Sequence, residues 1–61
     1  MFIQSSRTTL NEIESIYHNS TSERDFMMNC SKSPSVEIST MIRHDLEIIF
    51  LLLSRIYYRG D

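Results

Sequence analysis

The chain has 61 residues, 41% of them apolar, and six Lys and Arg against eight Asp and Glu leave a net charge of −2. That length allows one domain, and a domain so short buries only about 60% of its unfolded surface, so it leans on disulfides, metals, association or idealised helix packing. A single cysteine, Cys30, excludes an intrachain disulfide; His18, Cys30 and His44 lack the paired spacing of a metal site; and no stretch gathers Lys and Arg on one face, which argues against nucleic acid.

Gly and Pro occur once each, so the turn dipeptides that punctuate strands are absent and an all-α fold is expected. Residues 1–8 contain no basic n-region of a secretory signal, which gives a cytoplasmic expectation. They are taken as a frayed lead-in, or as packed through Phe2 and Ile3. Thr9 and Glu12 have the spacing of a capping box, in which each side chain satisfies an orphan backbone N–H. Leu10, Ile13, Ile16 and Tyr17 then recur at helical intervals, which predicts a first helix over 9–19.

The polar run Asn19-Ser20-Thr21-Ser22 breaks that helix, because each side chain competes for local backbone groups. A short middle helix or turn over 23–30 follows, capped by Ser22 and Asp25 and carrying Phe26, Met27 and Met28. Ser31-Lys32-Ser33 forms the next break. Pro34 suits the first turn of a helix, where its missing N–H costs nothing.

One long helix is predicted over 34–59, with Gly60 in the left-handed position that ends helices and Arg55 and Arg59 at the negative end of its dipole. Arg43 and Arg55 bracket eleven residues, too few for the roughly 20 that span a membrane. Placed at about 100° per residue, Ile38, Met41, Ile42, Leu46, Ile48, Ile49, Phe50, Leu52, Leu53, Ile56 and Tyr57 fill an arc of roughly 200°, about twice the stripe that docks one surface. The first two helices can cover one flank of that arc and leave the other bare, and a bare flank implies a partner.

The predicted interface residues are Ile42, Asp45, Leu46, Ile49, Phe50, Leu53, Ile56 and Tyr57. Within them Ile42, Leu46, Ile49, Leu53 and Ile56 follow the 4-3-4-3 spacing of a packing seam, while Phe50, Leu51, Tyr57 and Tyr58 form a second surface. On the projection Asp45 falls inside the apolar arc. There it either pairs with a base and fixes partner choice, or sits at a solvated rim. His44 beside Asp45 does not make an acid–base dyad, since neighbours on a helix point about 100° apart. With no nucleophile or oxyanion element in sight, no catalytic residue is expected, and no cofactor or metal either. The terminal Arg59-Gly60-Asp61 matches an integrin-binding tripeptide, but a cationic last turn, a glycine cap and an acid account for it.

Residues 41–50, through Ile42, Arg43, Leu46, Glu47 and Ile48, resemble the closing helix of the AriR (YmgB) family. That likeness implies a small helical protein that dimerises and modulates signalling. The size and plan are also similar to those of Spo0E-like aspartyl-phosphate phosphatases, whose Ser-Gln-Glu-Leu-Asp signature is absent: Ser39-Thr40-Met41-Ile42-Arg43 ends in a base where that family has its acid. Small secretion chaperones of the YscE type share the plan too. The expectation is an all-α helical hairpin, two main helices and a short middle one, that dimerises into a helical bundle and acts as a regulatory adaptor, connector or inhibitor. The partner expected is a second copy, another protein, or both.

Overall fold

Ser22 begins a helix because its extended backbone, φ −158° and ψ 171°, lets its hydroxyl accept the N–H of Asp25 at 3.1 Å. Asp25 returns the favour by accepting the N–H of Thr21 at 2.9 Å. One orphan donor of the first turn, the N–H of Asp25, and the N–H of the residue before the cap are thus both satisfied. Ser35 does the same for a shorter element, accepting the N–H of Ile38 at 3.4 Å. In the computed structural model, which describes the backbone of residues 2–58 and the side chains of residues 8–58, these caps help divide the chain into four helices. They are α1 (Phe2–His18), α2 (Glu23–Ser31), α3 (Val36–Ser39) and α4 (Arg43–Tyr57), and no strand occurs among the described residues.

The all-α class holds, and the simple hairpin does not. The predicted helix over 34–59 is two helices, α3 and α4, separated by Thr40, Met41 and Ile42. Thr40 leaves helical geometry at φ −102° and ψ 5°, and Ile42 is extended at φ −70° and ψ 141°. Packing accounts for the break. An unbroken helix of that length would run about 39 Å, whereas the nine residues of α2 cover only about 14 Å. Bending at 40–42 lets α3 lie across α1 and α2, and Ile38 becomes fully buried there.

α1 starts at Phe2, seven residues before the expected Thr9. Thr9 therefore lies inside a helix rather than capping one, and its hydroxyl donates to the Glu37 carboxylate on α3. α1 ends where the polar run predicts. The Asn19 amide side chain donates to Ser15 O at 3.0 Å, and Ser20 Oγ donates to Ile16 O at 2.7 Å. Ser20 is buried and also accepts from Asn29 Nδ2 at 3.0 Å, which ties the end of α1 to α2. α4 ends at Tyr57, and the left-handed residue after it is Tyr58 at φ 39°, whose N–H donates to Ser54 O. The expected cap at Gly60, the charge at Arg59, the terminal tripeptide and the side chains of Phe2 and Ile3 lie outside the described residues.

The core is assembled from every helix: Ile13 and Tyr17 from α1, Phe26 and Cys30 from α2, Ile38 from α3, and Leu46 and Leu53 from α4. Three rings hold its centre. Tyr17 stands 6.2 Å from Phe26 and 5.6 Å from Phe50, and Phe26 stands 5.4 Å from Phe50, all within the range of attractive aromatic pairs. Every described side-chain polar atom that is buried has a hydrogen-bond partner. The chain's own side chains form this core, while Ile48, Leu51, Leu52 and Ile56 of α4 remain exposed.

Candidate functional site

α4 has two faces of different character. Leu46 and Leu53 point inward and are buried, with Ile49 and Phe50 packed beside them. Tyr57, at 42% exposed, stays near the core through its ring, 4.6 Å from His18, and its hydroxyl donates to Glu14 Oε2 at 3.2 Å. The other face is bare. Ile48 is 44% exposed, Leu51 58%, Leu52 52% and Ile56 68%. At about 100° per residue these four share one side of the helix, and together they form the longest run of exposed large aliphatic side chains on any described helix.

A charge stands on either side of Ile48 and Leu52, the middle of this strip. Asp45 and Arg55 are exposed, and among the described residues neither forms an ion pair. Asp45, Ile48, Leu52 and Arg55 repeat at spacings of three, four and three, the spacing of a helix-packing seam. Asp45 lies in the first turn of α4, where a carboxylate suits the positive end of the helix dipole, and Arg55 lies in the last turn, where a cation suits the negative end. Their placement therefore stabilises the helix that displays the strip.

This arrangement redistributes the expected interface. The seam of Ile42, Leu46, Ile49, Leu53 and Ile56 does not present one outer surface, because Leu46 and Leu53 are consumed by the chain's own core. Ile42 is exposed but precedes α4, and Ile56 belongs to the outer strip. Phe50 packs inward, while Leu51 and Tyr58 are exposed. Asp45 is at the solvated rim rather than inside an apolar arc, because the helix begins at Arg43 and residues 34–42 do not continue it. Ile48 and Leu52, which that seam omits, are exposed on α4 and lie on a second repeat of 3-4-3 spacing between Asp45 and Arg55.

A second feature lies between α2 and the start of α4. Met27, Met28, Met41 and Leu46 line an open groove of about 410 Å³, with Arg24 and Arg43 at its rim. Methionine gives such a surface adaptability. Glu23 and Glu47 flank the same two arginines and offset their charge, so the groove carries no net preference for an anion.

Cys30 is fully buried, and burial raises its thiol above the ordinary range, the opposite of an activated nucleophile. No group of three or more His, Cys, Asp or Glu among the described residues is arranged to hold a metal ion. No described helix is long and apolar enough to cross a membrane. No family model, no curated protein and no solved structure matches this chain.

Proposed function

We propose that this chain is a small protein-binding module, an adaptor, connector or inhibitor, which acts by laying the outer face of α4 against a partner. The observation that carries the reading is the strip of Ile48, Leu51, Leu52 and Ile56, exposed on a chain whose core is already closed by other residues. Contiguous apolar surface on a small protein generally marks an interaction site, and an amphipathic helix that meets a groove or another helix is a recurring mode of recognition. The regulatory role implied by the likeness of residues 41–50 to the AriR family is the specific form of this proposal.

The test is a capture experiment with folded variants. Leu52→Lys and Ile48→Lys place a charge on the strip, and Val36→Lys places one on an exposed apolar residue of α3. A partner that engages the strip is retained by the wild type and by Val36→Lys and lost by the other two. Retention by all four proteins, with circular dichroism unchanged, contradicts the proposal.

A further inference from the structure

We infer that the occupant of this strip is a second copy of the chain, docked antiparallel, α4 against α4. The inference rests on the reading of the strip as a protein-docking face and adds the identity and direction of the partner.

The charges carry it. Asp45 and Arg55 flank Ile48 and Leu52 symmetrically: residue 50 is the midpoint of 45 and 55, and also of 48 and 52. A two-fold axis at that midpoint brings Ile48 of one copy against Leu52 of the other, and Asp45 against Arg55, twice in each dimer. An isologous contact of this kind needs a self-complementary patch, and the 3-4-3 spacing supplies one with apolar residues central and opposite charges at the ends. The parallel arrangement instead sets Asp45 beside Asp45 and Arg55 beside Arg55, and like charges so placed oppose association. The ion-pair partners that Asp45 and Arg55 lack among the described residues are supplied by the second copy.

The contact is small. One face of a 15-residue helix from each copy falls short of the roughly 1,200–2,000 Å² buried in standard stable complexes. The dimer therefore forms and dissociates with concentration, which suits a module that exchanges its own copy for another protein.

Sedimentation equilibrium from about 10 μM to about 1 mM, the range of weak complexes, tests the assignment with four samples. The wild type shifts from its monomer mass of 7.2 kDa towards twice that value. Asp45→Arg and Arg55→Asp each set like charges together at two places in the antiparallel dimer, and each weakens association about tenfold. An equimolar mixture of these two variants pairs opposite charges again and returns to within about twofold of the wild type. Each variant carries one reversed charge on an exposed site, and circular dichroism verifies its helices.

A wild type that stays monomeric throughout overturns the inference, as does a dimer indifferent to both substitutions, which is the result a parallel pairing gives. Loss of a captured protein with Leu52→Lys, found together with a strictly monomeric chain, overturns only the self-docking. If neither capture nor mass depends on Leu52, the docking face itself is refuted.

Discussion

The hydroxyl of Tyr17, a fully buried side chain of α1, reaches Ser54 Oγ on α4 at 3.4 Å, across 37 residues of sequence. Its ring does more than its hydroxyl, since it touches Phe26, Phe50 and Tyr57 as well as His18. Tyr17→Phe keeps the ring and is expected to cost about 1 kcal/mol. Tyr17→Ala removes the centre of the core and costs about 3–5 kcal/mol, enough to unfold most of a chain this small. Urea denaturation of the two variants separates the contributions.

Leu52 and Leu53 are neighbours with opposite fates. Leu53→Lys buries an unpaired charge in the core cluster and unfolds the chain, a loss of several kcal/mol. Leu52→Lys lies on the exposed strip and changes stability by no more than about 0.5 kcal/mol, while association is lost. Thermal melts together with solution mass distinguish the two. A variant at 53 that remains folded contradicts the inward orientation of that side chain.

The caps differ in weight. Ser22→Ala removes a 3.1 Å bond at the start of a nine-residue helix and releases Asp25 from its reciprocal role. It is expected to cost about 1 kcal/mol. Ser35→Ala removes a 3.4 Å bond from a single turn and costs less, about 0.5 kcal/mol. Equal losses in chemical denaturation contradict this ordering.

Alkaline pH should weaken the fold. Burial raises the Cys30 thiol, and the negative charge of Glu14, then its hydrogen bond, then partial desolvation raise the Tyr57 phenol. Both groups are neutral when protonated, and both hold their protons more tightly folded than unfolded. Their contribution is complete below the ordinary thiol and phenol values and is lost as pH rises through the raised ones. Melting temperature therefore falls on the alkaline side. Glu14→Gln returns the Tyr57 phenolate transition, read by absorbance, towards its ordinary pH. An unmoved transition contradicts the Glu14 contact.

Much of this architecture is legible in the residues themselves. Helical periodicity over Leu10 to Tyr17 and the run Asn19 to Ser22 place α1's end and α2's start, because those signals are local. The break at Thr40 to Ile42 is not legible: apolar spacing continues through it, no Gly or Pro marks it, and its cause is that Ile38 must reach across α1 and α2. The same break misdirects the site. Taking 34–59 as one helix puts Asp45 within an apolar arc, whereas a helix that starts at Arg43 leaves it exposed. Projection onto a wheel does not distinguish the flank that the short α2 covers, so Leu46 and Leu53 fall on an expected interface seam although the chain's own core buries both.

The antiparallel strip on α4 is tested most directly by a dilution series of methyl-resolved NMR spectra. Self-docking through this face predicts concentration-dependent shifts at Ile48, Leu51, Leu52 and Ile56, with Leu10 and Val36, equally apolar and exposed on other helices, unmoved. Shifts at Leu10 or Val36 with none on α4, or no shifts at any concentration, would contradict it.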